Sequence, residues 1–501
     1  MQNKAFFKKV FVDIVRFLYI LLFVYASVSK LLEFDHFRIQ LGKSPLLSVF
    51  AEVLVWAVPV GELLIVALLC LPKLRVAGLW ASFFVMLLFT AYIAIMLNFS
   101  SYVPCSCGGI LEDLDWTEHL VFNIAVSVLG LSALVMLRQD ATSSKLFWAQ
   151  AVSCLLVSFA TVAALYGISE HEIHRNNAFI RRYPQHPVEQ LNGYDLEFDS
   201  FYIAGFDEGN VYLGNVTAPR NLKRLDTALA KAVDFRIKLE GPSDYAFSSV
   251  QVKLLPPFFF LGDGTVPIIY KGSIADWRAK TFLQPSVFFS QWQPIDGNTF
   301  LVRTLDRTHA NVLGSLSRQD GFGEAKGLIQ KQSDGAFDTD GLLGYNRELR
   351  KLAYVYYYRN RFVTASPDFN GKYEGKTVDT VSKAQLKFAY EQQDKVRTLA
   401  RPPLQVNKHS CTSGRYLFVM SDRLGRYEPG EMLKDARIVD VYDLVKRTYE
   451  FSFYLYDYKK EKVTGFEVNG HLLYGLTEHY LVRYRLKAAN FDFTVADKTT
   501  P

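Results

Sequence analysis

The apolar positions of this chain fall into two regimes. Up to about residue 170 they run in long unbroken stretches; beyond it, short apolar runs alternate with polar turn residues. A helix needs roughly 20 apolar residues to cross a bilayer. Five stretches reach that length: Val12–Leu32, Phe50–Leu71, Val76–Leu97, His119–Leu137 and Phe147–Ile168. The first has no small-residue cleavage site and is followed by four more, so it reads as a retained span rather than a removable signal.

Loop charges give this array a direction. Lys4, Lys8 and Lys9 precede the first span, Lys73 and Arg75 follow the second, and Arg138 and Lys145 lie between the fourth and fifth. The loop Ser100–Glu118 has neither Lys nor Arg, although Arg38 and Lys43 soften the contrast. Excess positive charge marks the cytoplasmic side, which predicts a cytoplasmic N-terminus. An odd number of spans then exports everything after the fifth.

From about Glu170 to Pro501 the runs are rich in Phe, Tyr, Val and Ile and are broken by Gly, Asp, Asn and Pro. Examples are Phe201–Asn215, Phe258–Gly272 and Tyr449–Tyr458. This spacing predicts an all-β domain of many short strands. Its size suits a propeller, with ~50 residues per blade if there are six. Asn221–Val233 reads as a helical exception, and Tyr354–Arg361 as sheet core with an exposed edge. The expected organisation is a four-helix bundle over 1–140, a fifth spanning helix over 141–170, a polar linker over 171–187 and a propeller over 188–501.

Composition narrows the function classes. With 50% hydrophobic and 21% charged residues the chain is not disordered. The net charge of +6 comes from 56 basic and 50 acidic residues mixed along the sequence, with no basic patch for nucleic acid. Five cysteines are too few for a disulfide scaffold, but two of them are separated by one residue.

That pair, Cys105 and Cys107 in Pro104–Gly109, falls in the outer loop before the fourth span. A Cys-x-Cys disulfide closes a small strained ring, and strain makes the bond easy to pass to another dithiol. The same pair also suits a static loop staple. Metal is not expected, because His119 would make only a third ligand and structural zinc takes four. Asp115 and Glu118 form a capping-box pattern that starts the fourth helix at Trp116. Trp116, His119 and Asn123 then share one helical face, where His119 can carry a proton or simply be hydrogen-bonded into the bundle. Glu62 lies inside the second span, a costly place for a carboxylate, and Lys30 near the end of the first is its natural partner, either as a lock between helices or in a cavity. Cys70 and Cys154 read as core thiols and Cys411 as a buried free thiol. Asp334–Gly341 carries three carboxylates that serve a turn better than a calcium loop, which would require a glutamate at its twelfth position.

These residues carry a likeness. Ser27–Lys30, Gln40–Leu47, Pro59–Glu62, and Cys105–Gly109 leading into Trp116–His119 resemble the MauE (methylamine utilisation) family, relatives of DoxX, over roughly residues 5–140. The resemblance implies a four-helix membrane bundle that helps mature the disulfide-rich small subunit of methylamine dehydrogenase outside the cytoplasm. It places the chain in a bacterial inner membrane, facing the periplasm. A more distant likeness to the vitamin K epoxide reductase bundle implies a quinone as electron partner. There the pair is Cys-x-x-Cys on a helix; here it is Cys-x-Cys in a loop. Asn210–Pro219, Val378–Thr380 and Val439–Tyr442 resemble six-bladed TolB-like propellers. MauE proteins end after the bundle, so the added propeller implies an exported client of another kind. The expected function is thiol–disulfide exchange or maturation of that client, held by the propeller. The alternative is a non-enzymatic membrane-anchored propeller that binds a secreted peptide or glycan.

Overall fold

The computed structural model describes residues 2–44, 46–99, 115–137, 144–171, 179–241, 245–386, 388–390, 397–399 and 403–495. The chain divides into two units, one of residues 1–185 with 425–429 and the other of residues 186–424 with 430–501.

The first unit is helical. In order come α1 (Gln2–Leu32), α2 (Phe34–Lys43), α3 (Ala51–Cys70), α4 (Arg75–Phe99), α5 (Trp116–Leu137) and α6 (Ser144–His171). All except α2 are long and apolar enough to cross a membrane. Helix α1 packs on α3, α3 on α4, α4 on α5 and α5 back on α1, which closes a four-helix ring; α6 lies against α4. The ring encloses Tyr19, Phe23, Leu69, Leu79, Met86 and Ala133. Its outer surface carries Phe17, Leu21, Leu64 and Val128, all exposed. Lipid tails are as apolar as these side chains, so hydrophobicity alone does not hold such helices together and close approach at small residues must contribute. Gly130 provides it: a Cβ there would stand 2.1 Å from Tyr19 Oη, whose hydroxyl donates to the Val126 carbonyl at 2.9 Å.

The sequence reading gave no helix to the segment now seen as α2. Ten residues are too short to span, but Phe37 and Leu41 bury one face against Ala51 and Val55 of α3. The described part of the expected linker also differs from a solvated tether. Ile180, Arg181 and Arg182 are buried, and Arg181 pairs with Glu428 of the same unit at 3.1 Å.

The second unit is a six-bladed β-propeller, with four antiparallel strands forming the common core of each blade among the described residues. The innermost strands of blades one to six are Phe201–Asp207, Gln251–Leu255, Gln291–Pro294, Gly341–Asn346, His409–Ser413 and Gly465–Asn469. Each contacts the next, and the sixth returns to the first, so they ring a central axis. Blade six is completed from the other end of the sequence. Val188–Asp195 pairs antiparallel with Tyr480–Leu486, from Val188↔Leu486 to Asp195↔Tyr480, with a one-residue register shift between Gln190 and Asn192. Closure leaves only short protected edges. The apolar cores lie between neighbouring blades; Phe260, Ile269, Trp292 and Phe300 join blades two and three. Blade two gains a fifth strand, Lys238–Glu240, parallel to Arg278–Leu283. A two-stranded hairpin, Phe388–Tyr390 with Arg397–Leu399, is inserted between blades four and five.

One expectation is overturned here. Asn221–Val233 is not helical: Asn221–Asp226 and Ala232–Arg236 form a hairpin in blade one. Leu222 and Leu225, three apart, imitate helical spacing, but both are buried as strand residues. Pairing with Asn210–Asn215 supplies the ladder that outweighs local propensity. Asp226 ties the turn by accepting from the Ala230 and Lys231 amides. Tyr354–Tyr356 is sheet core as expected, but Arg359 and Asn360 of the supposed edge are buried too.

Candidate functional site

In the bundle, Lys30 of α1 and Glu62 of α3 are brought together. Lys30 Nζ lies 2.6 Å from Glu62 Oε1, and the Ser27 hydroxyl stands 2.8 Å from Oε2. Ser27 also lies 3.2 Å from the carbonyl of Pro59. Glu62 is 2% exposed, so its carboxylate is held by one cation and one hydroxyl in a dry setting. The Lys30 ammonium also faces the rings of Phe37 and Phe89 at about 6 Å, a favourable position for a cation.

The start of α5 follows the capping-box pattern. The Thr117 and Glu118 amides donate to Asp115 Oδ1 at 2.7 Å, and the Asp115 amide donates to Glu118 Oε2 at 3.0 Å. This fixes Trp116, whose ring lies 6.1 Å from His119 and 6.4 Å from Tyr92. Tyr92 in turn meets the hydroxyl of buried Ser44 at 3.0 Å. Asn123 is buried two turns further on. Cys105 and Cys107 lie outside the described residues. Cys154 is partly buried beside the bundle core and Cys411 is buried in the propeller, whereas Cys70, expected in the core, is exposed at the last turn of α3. Apolar side chains are stable on a lipid-facing surface, so hydropathy cannot tell inside from outside there.

In Asp334–Gly341, Asp338 accepts from the backbone amides of Gln332, Ser333 and Gly335, and Asp340 pairs with Arg303. The carboxylates close a turn. Among the described residues no cluster of His, Cys, Asp or Glu is placed to hold a metal.

The sequence reading missed a set of charges at the propeller axis. Lys253, Arg347 and Glu467 belong to blades two, four and six. Lys253 Nζ donates to Gln293 Oε1 at 2.9 Å, and Arg347, just past the inner strand of blade four, donates to the Leu254 carbonyl of blade two at 2.7 Å. Burial raises the Glu467 carboxyl to about 7, against the pull of Lys253 and Arg347. Burial likewise lowers Lys253 to about 8, with Glu467 acting the other way. A charge between two apolar neighbours, as in Val252-Lys253-Leu254 and Phe466-Glu467-Val468, normally marks the solvent face of a strand. On these innermost strands both charges are only partly exposed, and Lys253 meets Gln293 of the neighbouring blade three.

A second feature is an open cleft of about 630 Å³ where blades one and six meet, lined by Tyr194, Phe198, Phe201, Lys223, Asp234 and Phe235. Lys223 pairs with Asp234 at 2.8 Å and sits about 6 Å from the rings of Tyr194 and Phe201.

Residues 8–138 match the family model described as "Methylamine utilisation protein MauE". That range takes in most of the four-helix ring and every bundle residue discussed above except Cys154. No curated protein matches the chain. Among solved structures, streptogramin B lyase is 11% identical with a TM-score of 0.35, covering 60% of this chain and 97% of that one. The β-propeller domain of Cps50 (Swd1) from Myceliophteria thermophila is 10% identical with a TM-score of 0.34, covering 60% and 100%. Regucalcin, a calcium-binding protein from Agrobacterium tumefaciens, is 10% identical with a TM-score of 0.33, covering 59% and 93%. The blade count rests on the strand pairing, not on these likenesses.

Proposed function

We propose that this membrane protein supports thiol–disulfide exchange for an exported client, with Cys105 and Cys107 as the exchanging pair. The observation that carries the reading is the match of residues 8–138 to the MauE family, with the Cys-x-Cys pair inside it. In the proposed step a client dithiol attacks the Cys105–Cys107 disulfide through a mixed disulfide. The client gains a disulfide, and the pair takes up two electrons and two protons. His119, on the first turn of α5, carries a proton; Trp116 and Asn123 share its helical face. The Lys30–Glu62 pair braces α1 against α3. A separate two-electron acceptor, which this chain does not itself supply, returns the pair to the disulfide. The loop charges support an N-terminus in the cytoplasm of a bacterial cell and a propeller in the periplasm, where disulfides persist.

Alkylation trapping in membranes tests this. Cys105 and Cys107 are expected to change redox state together, and Cys107→Ser to accumulate a mixed disulfide with the client. If both thiols stay reduced under oxidising conditions and no adduct forms, the reading fails.

The cleft with Tyr194, Phe198 and Phe201 favours a second reading, a non-enzymatic propeller that binds a secreted peptide or glycan. It predicts that Cys105→Ala with Cys107→Ala leaves the captured partners unchanged.

A further inference from the structure

Three ionisable side chains from alternate blades converge on the propeller axis. Arg347 reaches from blade four past blade three to the Leu254 carbonyl of blade two, at 2.7 Å. Glu467, in blade six, lies within electrostatic reach of both Lys253 in blade two and Arg347. Such reach between non-adjacent blades runs across the axial opening.

The charges are not consumed by one another. Lys253 bonds to Gln293 and Arg347 to a carbonyl. Among the described residues no donor stands within hydrogen-bond distance of the Glu467 carboxylate. Lys253 and Glu467 are partly exposed and Arg347 is exposed, so two cations and one carboxylate share a space that solvent reaches, without contact between them. The ammonium of Lys253 has two further N–H groups, and the guanidinium fork of Arg347 has others beyond its bond to Leu254. The walls are β-sheet, whose low dielectric strengthens any charged hydrogen bond made inside.

We propose that this axial opening is a binding site for a small organic anion, of carboxylate or phosphate type, held by Lys253 and Arg347 opposite Glu467. The anion completes both cations with charge-assisted hydrogen bonds, and the planar fork of Arg347 suits a two-oxygen group. Glu467, when ionised, repels the ligand and so limits how much negative charge the site accepts. The site uses neither Cys105 nor Cys107, so replacing both with Ala leaves anion binding intact even if exchange chemistry is lost or never existed.

The test is calorimetric titration of the full-length protein in detergent micelles with acetate and, separately, with inorganic phosphate. Saturable one-site binding of at least one anion is expected. Lys253→Met should weaken it about ten-fold or more, and Glu467→Gln should tighten it by about ten-fold, the scale of one charged hydrogen bond. Binding of acetate alone assigns a carboxylate ligand, and binding of phosphate alone a phosphate-bearing one. The proposal is overturned if neither anion binds the wild type or Glu467→Gln at tens of millimolar. It is equally overturned if Lys253→Met and Glu467→Gln both bind like the wild type. Should Lys253→Met not fold, unchanged affinity in Glu467→Gln is enough to overturn it.

Discussion

Lys30 and Glu62 meet at 2.6 Å between α1 and α3, with the Ser27 hydroxyl on the other carboxylate oxygen. Removing one partner of a buried pair leaves a lone charge, which costs more than removing both. Lys30→Met is therefore expected to destabilise the bundle by about 2–4 kcal/mol, and Lys30→Met with Glu62→Gln to recover most of it. Thermal unfolding of the detergent-solubilised protein, followed by tryptophan fluorescence, checks the order of midpoints. A double variant less stable than Lys30→Met would show that the pair is not what holds α1 to α3.

Gly130 and Tyr19 make a second, steric junction, between α5 and α1. Because a Cβ at position 130 would stand 2.1 Å from Tyr19 Oη, Gly130→Ala should cost about 1–3 kcal/mol by overpacking. Tyr19→Phe removes both that oxygen and its bond to Val126, at about 1 kcal/mol. Combined, the two should be less damaging than their sum. A double-mutant cycle on unfolding midpoints measures this coupling, and strict additivity would contradict the close approach.

The axial charges give the propeller a pH signature. Folded Glu467 titrates near 7 and an unfolded glutamate near ~4.3. The folded chain thus binds the extra proton between these values, and stability falls as pH rises through that window. Lys253 works in the opposite direction: lowered to about 8 when folded, it makes stability rise between there and ~10.4, where an unfolded lysine titrates. Glu467→Gln should abolish the fall below about pH 7 and keep the rise above about pH 8. Urea midpoints of wild type and variant at a series of pH values decide this.

Burial pushes the Cys411 thiol well above the usual range, and the thiolate is the reactive form. Native protein should therefore leave Cys411 unmodified by a membrane-permeant maleimide, whereas exposed Cys70 reacts. Mass spectrometry before and after denaturation checks this. Prompt native labelling of Cys411 would mean that blade five opens.

Much of the first unit was legible because bilayer and backbone chemistry act locally. Spanning helices must satisfy their own hydrogen bonds, so Val76–Leu97 and its counterparts announce themselves by length and hydropathy. Asp115 and Glu118 mark the start at Trp116 because a helix exposes its first amides to whatever acceptor stands within three residues. Helix α2 escaped notice because its stability comes from Phe37 and Leu41 packing on α3, not from its own ten residues.

Strand-rich texture and turn chemistry in the second unit were equally local, and so was the prospect of blades. The pairing was not. Val188–Asp195 joins Tyr480–Leu486 from the opposite end of the propeller sequence, and Asn221–Asp226 becomes a strand only because Asn210–Asn215 lies beside it. Lys253, Arg347 and Glu467 look like ordinary solvent-facing charges in their own strands. Ring closure alone brings the three within electrostatic reach of one another and leaves Lys253 and Glu467 only partly exposed, so the sequence carried their identities while the tertiary structure created their electrostatics.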